Sequence, residues 1–203
     1  MKLKLKNKIA LSTSITLISV LAITIVLTSI RTRDFAIDSS TKTALESAKY
    51  SAYLIKNGID LYMSQAQSFA SIIKATKGND NPISMSRQEL SSQTKSLLKD
   101  LPKAFGVFVI FEPNAFDGKD AQFAGTFGHD IFGRLNIYWT RDEKNILSLE
   151  AEPDTALNNM DVGSYYYASK VSNACSFLEP SVYPLGDMNV LLASITAPIS
   201  VNN

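Results

Sequence analysis

The sequence predicts an α+β protein in which an N-terminal transmembrane helix leads into a long extracytoplasmic helix packed on an antiparallel sheet. Three observations support this fold class. An uncharged apolar run occupies residues 9–30, an apolar stripe of helical period continues to about residue 77, and short strand-like segments follow from residue 105 onward. Helices followed by strands are typical of α+β domains, in which helices cover one side of an antiparallel sheet.

The first predicted element is a membrane-spanning helix over residues 9–30. A helix of this length extends roughly 33 Å, which matches the hydrocarbon core of a bilayer. Four lysines in residues 1–8 hold that tail in the cytoplasm by the positive-inside rule and send residues 31–203 across the membrane. The alternative is a cleaved signal peptide, but no small-residue cleavage site follows the run. We therefore expect an uncleaved signal anchor and a single-pass protein of the inner membrane, with its C-terminal part periplasmic or extracellular.

The second predicted element is a helix from Asp34 to about Lys77, a stretch with one glycine and no proline. Its apolar residues recur in alternating steps of three and four, as in coiled coils. They are Leu45, Ala48, Ala52, Ile55, Ile59, Tyr62, Ala66, Phe69 and Ile73. Two interpretations remain open. The stripe packs on the chain's own domain, or it forms the seam of a homodimer, and both can hold at different heights along the helix.

A second extracytoplasmic helix and several strands follow. The segment Ser86-Arg87-Gln88-Glu89 is a capping box that starts the helix, and Pro102 ends it. The strands are predicted at Phe105–Phe111, Leu135–Thr140, Ile146–Leu149 and Asn189–Ile199. Turn-forming residues dominate residues 114–118, 125–133 and 183–187. The strands are short and separated by turns, as expected for an antiparallel sheet.

Composition excludes several classes of function. Lys and Arg number 20 and Asp and Glu 19, but six cations and no acid lie in the first 33 residues, so the rest has an acidic excess of five. An acidic body offers no basic footprint for nucleic acid. With a single cysteine, Cys175, the chain cannot form an intramolecular disulfide. With one cysteine and one histidine, His129, it also lacks the ligands of a Cys/His zinc site. We expect no metal and no cofactor.

Catalysis is not expected either. The sequence has no G-x-S-x-G motif, no P-loop and no H-E-x-x-H motif. The residues that could still serve as catalytic groups are the pair His129-Asp130 and two pairs of acids, Asp117/Asp120 and Glu150/Glu152. Such groups beside Gly and Asn are typical of turns rather than of general acid–base pairs.

Five segments carry a resemblance to a known family. They are FEPNAFDGKDAQFAG (111–125), GRLNIYW (133–139), GSYYYASK (163–170), LEPSVYP (178–184) and NVLLASITAPI (189–199). With the anchor and the long helix, they resemble the membrane-distal half of a double Cache (dCache) sensor domain, in the amino-terminal part of bacterial methyl-accepting chemotaxis proteins. The resemblance implies a Cache/PDC-like sheet of five or six antiparallel strands with a small-ligand pocket, in a dimer held by the long helices. It also implies that residues 31–203 are an incomplete sensor module, truncated before the membrane-proximal module and lacking HAMP and signalling domains.

Six residues are candidates for the ligand pocket, since such pockets combine aromatic walls with a few oriented polar groups. They are Tyr138, Trp139, Tyr165, Tyr166, Lys170 and Tyr183. Tyr138 and Trp139 are neighbours on a predicted strand and point to opposite faces, so only one can enter the pocket. Packing in or around the core remains the alternative for each aromatic, as does a solvated surface position for Lys170.

The resemblance also bears on the ligand. In relatives that bind amino acids, an Arg precedes a Trp-Tyr pair by two residues and a Tyr-x-Asp pair follows. Aligning Tyr165-Tyr166 with the first pair puts Gly163 at the arginine position, and Ser181 and Tyr183 on the second pair. The bidentate clamp for an α-carboxylate is therefore missing. We expect a small organic acid, an amine or an amino-acid-like molecule.

The resulting prediction is an extracytoplasmic small-ligand sensing module of a chemotaxis receptor, not an enzyme, which transmits a signal across the membrane and binds no nucleic acid. One alternative is the input domain of a sensor histidine kinase or a diguanylate cyclase. A second is an anchored partner that dimerises with intact receptors and binds nothing small. A third, an anchored hydrolase using His129, has the least support.

Overall fold

The computed structural model of the chain describes residues 4–77, 84–151, 157, 163–185 and 188–200. The chain divides into two units, Met1–Ile59 and Asp60–Asn203. Helix α1 (Leu5–Lys77) accounts for the described part of the first unit and contributes its last turns to the second. The two helices predicted over residues 9–30 and from Asp34 to about Lys77 are parts of this one continuous helix.

In the first unit, helix α1 is long and apolar enough to cross a membrane. Its described side chains up to Asn57 are all exposed in the single chain. Hydroxyl groups within the apolar run donate back to main-chain carbonyls about one turn earlier, for example Ser19 Oγ to Ile15 O at 2.8 Å and Thr24 Oγ1 to Val20 O at 2.9 Å. These bonds suit a lipid environment, because water is absent there and an unpaired hydroxyl is costly.

The core of the second unit lies where the end of α1 meets helix α2 (Arg87–Asp100) and a sheet. The C-terminal part of the predicted apolar stripe thus packs on the chain's own domain, with Ile73 fully buried and Phe69 partly buried. The buried residues of this core are Ile73, Leu90, Val109, Phe111, Phe116, Leu135 and Ile137.

Helix α2 begins and ends at side-chain hydrogen bonds. The predicted capping box forms, since Ser86 Oγ accepts from Glu89 N at 3.2 Å and Glu89 Oε2 accepts from Ser86 N at 2.7 Å. At the other end, the guanidinium of Arg141 donates to the carbonyl oxygens of Leu98 and Pro102. The helix is therefore tied to the sheet at its C-terminus, where its carbonyls need donors.

The described part of the chain contains five strands, which form two antiparallel sheets. Strands β1 (Gly106–Ile110), β2 (Asn136–Arg141) and β3 (Leu147–Glu150) form one sheet in that order, and β4 (Ser176–Leu185) and β5 (Met188–Thr196) form a hairpin. The antiparallel α+β fold class is confirmed. The resemblance implied one sheet of five or six strands, whereas the described residues form a sheet of three and a sheet of two.

Strand β4 was not predicted. The sequence predicts turns over residues 183–187, but Tyr183–Leu185 belong to β4, and residues 186–187 lie outside the described residues. Two prolines within LEPSVYP argue against a strand, because proline lacks the N–H that a ladder needs. The structure accommodates Pro180 by a shift in the β4–β5 register between Leu178 and Ser181.

The GSYYYASK segment forms helix α3 (Ser164–Ser172). It begins after Gly163 and ends at Asn173, which adopts the left-handed conformation with φ 47°. Asparagine tolerates that conformation better than most residues do, so it is a suitable helix C-cap. Helix α3 connects the region of the three-stranded sheet to the β4–β5 hairpin, with contacts to both hairpin strands.

Candidate functional site

The two faces of the three-stranded sheet differ in what they contact. Val109 and Ile137 are buried in the core with residues of α1 and α2. Phe108 and Tyr138 lie next to them in the sequence and are opposite each other in the β1–β2 ladder, so both point to the other face. Their rings make an edge contact with centroids 6.3 Å apart.

Helix α3 adds a third ring to this face. Tyr165 is buried, and its ring meets Phe108 edge-on with a centroid separation of 5.5 Å. Edge contacts of this kind are favourable for aromatic pairs. We call the surface formed by Phe108, Tyr138 and Tyr165 the aromatic face.

Three polar side chains share the aromatic face with these rings. Asn136, Thr140 and Glu150 alternate with core-facing residues along β2 and β3 and therefore point the same way as Tyr138. Asn136 is completely buried, and Thr140 Oγ1 donates to Glu150 Oε1 at 3.3 Å. Aromatic walls with a few placed polar groups are the usual make-up of a small-molecule site.

The absence of a side chain at Gly106 provides the space that the Tyr138 ring occupies. A Cβ added at Gly106 would be 2.6 Å from Cε2 of Tyr138 and 2.9 Å from the carbonyl oxygen of Trp139. Because glycine carries no such atom, the Tyr138 ring can lie across β1. The identity of residue 106 therefore helps to shape the aromatic face.

Trp139 lies on the opposite side of the sheet from Tyr138. Its ring packs against the core, its Nε1 donates to Ser91 Oγ at 3.1 Å, and Lys95 Nζ lies 4.4 Å from the ring centroid. Of the two adjacent candidates, Tyr138 reaches the aromatic face and Trp139 fixes helix α2 to the sheet.

Tyr166 and Lys170 meet at one carboxylate beside the aromatic face. The hydroxyl of Tyr166 donates to Glu112 Oε1 and accepts from Arg134 Nη2 at 2.7 Å. Lys170 Nζ lies 2.5 Å from the same Glu112 oxygen. We call this group of Glu112, Arg134, Tyr166 and Lys170 the α3 anchor, because it ties α3 to the segments that follow β1 and precede β2.

The contacts within the α3 anchor shift the pKa values of Glu112 and Tyr166. Burial raises the pKa of Glu112, but hydrogen bonds from Lys170 and Tyr166 outweigh it and bring the pKa below its usual value. Burial, together with the hydrogen bond to Glu112, raises the pKa of Tyr166. At neutral pH the cluster therefore contains an ionised carboxylate and a neutral phenol that can donate.

Two further tyrosines, Tyr167 and the candidate Tyr183, are not part of the aromatic face. Tyr167 donates its hydroxyl to Leu157 O at 2.7 Å, and its ring contacts that of Tyr166 at 5.4 Å between centroids. Tyr183 is half-buried on β4, opposite Val190 in the hairpin, and so belongs to a different sheet from Tyr138. The structure thus brings together Tyr138 and Tyr165 on the aromatic face, with Tyr166 and Lys170 in the α3 anchor.

The FEPNAFDGKD segment is held by a buried arginine of α2. Arg87 donates from Nε to Asp117 Oδ2 at 2.9 Å, and from Nη2 to Asp117 Oδ1 at 2.6 Å and Asp120 Oδ1 at 2.5 Å. Its Nη1 also donates to Gly133 O at 2.6 Å. The acids Asp117 and Asp120 therefore position the loop that carries Glu112.

His129 and Asp130 contribute to the same loop. The His129 ring stacks on Phe123 with centroids 5.0 Å apart, and burial lowers the pKa of its imidazole. Asp130 Oδ1 accepts from the main-chain N–H groups of Phe132 and Arg134 at 2.9 and 2.8 Å. Of the other acids, Glu150 accepts from Thr140, and Glu152 lies outside the described residues.

Sequence reasoning missed Phe108, Glu112 and Arg134 as site residues. Alternation along β1 could have placed Phe108 on the opposite face from the core residue Val109. Glu112 and Arg134 lie in two of the segments that carry the resemblance, FEPNAFDGKD and GRLNIYW, but their partners on α3 are distant in sequence. Their pairing requires the folded structure.

Comparison with known proteins gives one curated relative and several solved structures, while no family model matches the chain. The relative is the methyl-accepting chemotaxis protein TlpQ of Pseudomonas aeruginosa, 29% identical over 125 residues. That match covers 57% of this chain and 18% of TlpQ. The chain therefore spans less than a fifth of the length of its curated relative.

Three of the solved structures belong to two histidine kinases and a chemotaxis protein. The extracellular domains of two histidine kinases, mmHK1S-Z3 and mmHK1S-Z2, match with TM-scores of 0.57 and 0.58 and identities of 26% and 25%. Each match covers 70% of this chain, and 47% and 48% of those chains, respectively. A methyl-accepting chemotaxis protein X shares the fold, with a TM-score of 0.59 at 22% identity over 77% of this chain and 57% of that one. These likenesses confirm the resemblance of the chain to the extracellular sensor domains of methyl-accepting chemotaxis proteins.

Proposed function

We propose that the chain is the extracytoplasmic small-ligand sensing module of a membrane-anchored chemotaxis receptor. The observation that carries the proposal is the aromatic face, where Phe108, Tyr138 and Tyr165 meet beside the buried Asn136. A protein that only dimerises has no need of three rings and a buried amide on the sheet face opposite α1 and α2. A small ligand fits that composition.

The proposal includes an orientation in the membrane. Residues 1–8 form a cytoplasmic tail, residues 9–30 a transmembrane signal anchor, and residues 31–203 a Cache-like sensor module outside the inner membrane. The lysine-rich tail and the apolar part of α1 support this arrangement. The exposed apolar stripe of α1 in the first unit supports a homodimer formed through the long helix.

A mechanism follows from how α3 is held. Tyr165 covers the aromatic face while the α3 anchor fixes the same helix to the loops around β1 and β2. A ligand that prefers one position of α3 over another shifts the population of these positions by its difference in affinity. The loop that follows Glu112 is bonded to Arg87 of α2, and Leu90 of α2 shares the core with Ile73 of α1. A shift of α3 therefore has a contiguous route to the end of α1.

A small-ligand screen tests the proposal. The full chain in detergent micelles is heated with organic acids, amines and amino acids while the fluorescence of Trp139 reports unfolding. Trp139 is the single tryptophan and lies on the helix side of the sheet, away from the aromatic face. We expect a ligand-dependent rise in melting temperature that Tyr138→Ala abolishes and Tyr53→Ala, on the exposed part of α1, retains. No shift with any compound, or an unchanged shift in Tyr138→Ala, would contradict the proposal.

A second candidate is the input domain of a sensor histidine kinase. It is favoured by one observation, the similarity to two histidine-kinase extracellular domains. Both candidates need the same ligand site and differ in the output domain. Exchanging residues 31–203 for the corresponding part of an intact chemoreceptor, and of an intact sensor kinase, leaves each host its own membrane helices and cytoplasmic output domain. Measuring which of the two outputs responds to ligand separates the candidates.

A further inference from the structure

The ammonium group of Lys170 occupies a site with the chemistry of a cation pocket. Its Nζ lies 2.5 Å from a carboxylate oxygen of Glu112, 5.3 Å from the ring centroid of Tyr166 and 5.6 Å from that of Tyr167. A carboxylate beside aromatic ring faces is the usual recognition chemistry for ammonium ions. Lys170 and Glu112 are both about half exposed, at 45% and 49%, so solvent reaches the pair.

We infer that Glu112, Tyr166 and Tyr167 form a binding subsite for a primary ammonium group, and that Lys170 is a tethered occupant which a free amine replaces. The inference names a ligand class for the α3 end of the proposed sensing site, and it rests on that function. The carboxylate and the rings remain in place when the Lys170 side chain swings outward.

The charges around the subsite favour a cation over an anion. Lys170 is already paired with Glu112, so its charge is not available to attract an anionic ligand unless that pair breaks. When Lys170 leaves, Glu112 remains hydrogen-bonded to the Tyr166 hydroxyl, which also accepts from Arg134. An incoming ammonium restores the charge balance that the lysine provided, whereas an anion would face the uncovered carboxylate.

The cost of displacing Lys170 is small enough for a ligand to overcome. Exposed ion pairs are populated over their open form by a factor of up to about five. The apparent affinity of a competing amine is lowered by the fraction of molecules in which the subsite is open. Removing the lysine should therefore strengthen amine binding by up to about fivefold.

Displacement of Lys170 by a free amine also changes how firmly α3 is held. Lys170 and Tyr166 lie one turn apart on α3, and both bond to Glu112. A free amine takes the place of one of these two attachments, so it loosens α3 from the segment after β1. Binding at the subsite thereby changes the restraint on the helix that positions Tyr165 over the aromatic face.

Propylammonium, the approximate end of a lysine side chain, is the probe. Binding is measured by saturation-transfer NMR on the full chain in micelles, for wild type, Lys170→Met, and the double variant Lys170→Met with Glu112→Gln. We expect Lys170→Met to bind propylammonium up to about fivefold more tightly than wild type does. The double variant should lose the signal, and propanol and propionate should give none with any variant.

Lys144→Met is the matched control, because Lys144 is an exposed lysine on the turn before β3. It should bind as wild type does. Absence of a propylammonium signal with Lys170→Met, or equal binding after Glu112→Gln, would overturn the inference. If Trp139 fluorescence shows that Lys170→Met does not fold, Lys170→Gln carries the same test, since it keeps the stem and removes the charge.

The two proposals fail separately. A ligand found in the screen whose binding needs Tyr138, together with no binding of propylammonium to Lys170→Met, refutes the ammonium subsite and leaves the sensing function standing. Suppose instead that propylammonium binds to Lys170→Met but a screen that contains larger amines gives no hit. That result refutes the small-ligand site on the aromatic face and leaves the ammonium subsite standing.

Discussion

Arg87 on helix α2 donates two hydrogen bonds to Asp117, from Nε to Oδ2 at 2.9 Å and from Nη2 to Oδ1 at 2.6 Å. The guanidinium is 5% exposed, and its remaining bonds go to Asp120 and to the carbonyl of Gly133. The planar, five-donor group of arginine suits this fork, and lysine cannot reproduce it. One side chain thereby joins α2, the loop after β1 and the entry to β2.

Replacing Arg87 by Met should destabilise the second unit by about 3–5 kcal/mol, because Asp120 would be left buried without its cation and Asp117 would lose its two bonds to the guanidinium. Urea unfolding of the full chain in micelles, followed by Trp139 fluorescence, measures the loss. Lys99→Met, at an exposed position of the same helix, is the control and should cost less than about 0.5 kcal/mol. Equal midpoints for the two variants would show that the cluster contributes little to stability.

A residue without a side chain is required at position 133, because the backbone of Asp120 approaches it closely. Gly133 has φ +79°, and a Cβ there would lie 1.8 Å from the carbonyl oxygen of Asp120. Gly133→Ala must therefore move the loop and should cost more than about 3 kcal/mol, whereas left-handed strain by itself costs about 1–2 kcal/mol.

Gly125→Ala supplies the comparison for Gly133→Ala. Gly125 has a similar φ of +67°, but nothing lies within 4 Å of an added Cβ. Its substitution should cost only the strain of about 1–2 kcal/mol. The difference between the two unfolding free energies measures the clash, and a difference near zero would contradict the close contact.

Much of the fold followed from local patterns. The capping box at Ser86, the apolar run of β1 and the helical stripe ending at Ile73 each predicted the element that the structure contains. Strand β4 was missed because its prolines argue against a strand, and a register shift in the hairpin, which no local pattern shows, accommodates one of them. The division into two sheets was missed for a related reason, since strand pairing depends on contacts between distant segments.

The candidate site was predicted only in part. Strand alternation correctly separated Tyr138 from Trp139, but which of them faces the helices depends on the whole core and not on the two residues. Lys170 was a candidate pocket residue, with a solvated surface position as the alternative. Its ion pair with Glu112 links two segments far apart in the sequence, and a helix pattern does not reveal that partner.

Stability should fall on acidification because of two carboxylates. The hydrogen bonds from Arg87 lower the pKa of Asp117, and those from Lys170 and Tyr166 lower the pKa of Glu112 despite its partial burial. Unfolded carboxyls titrate near about pH 4, so the folded state binds fewer protons there. The stabilisation is complete above about pH 5 and is lost as the pH falls through the folded values.

Urea unfolding from about pH 7 down to about pH 3 measures this dependence. Wild type should lose stability steadily below about pH 5. In Asp117→Asn the slope should be shallower, because that group no longer titrates. An unchanged slope in Asp117→Asn would show that other carboxyls are responsible.

Ile73 and Ile72 are neighbours on α1 with opposite environments. Ile73 is completely buried in the core, and Ile72 is 53% exposed. Ile73→Ala should cost about 2–5 kcal/mol through lost burial and the cavity left behind, whereas Ile72→Ala should change stability by less than about 1 kcal/mol. Urea unfolding detected by Trp139 fluorescence compares them, and equal losses would mean that α1 does not pack on the sheet through Ile73.

The last prediction concerns the part of the apolar stripe that lies in the first unit. Ala48 and Ala52 are exposed on α1 and share a helix face with Leu45 and Ile55, which are 53% and 65% exposed. Exposed apolar residues at coiled-coil spacing need a partner, and small residues allow two helices to approach closely. We expect this face to be covered by the same face of a second chain.

Ala52→Cys in a Cys175→Ser background should give a disulfide-linked dimer in membranes on mild oxidation. The control is Asn57→Cys, because residue 57 lies about 160° around the helix from the centre of the stripe, as the spacing of 3.6 residues per turn dictates. The Asn57→Cys chain should cross-link far more slowly, since a disulfide requires Cα atoms within about 7 Å of each other. Equal cross-linking at both positions would indicate random collision, and absence of the dimer at Ala52 would exclude the seam.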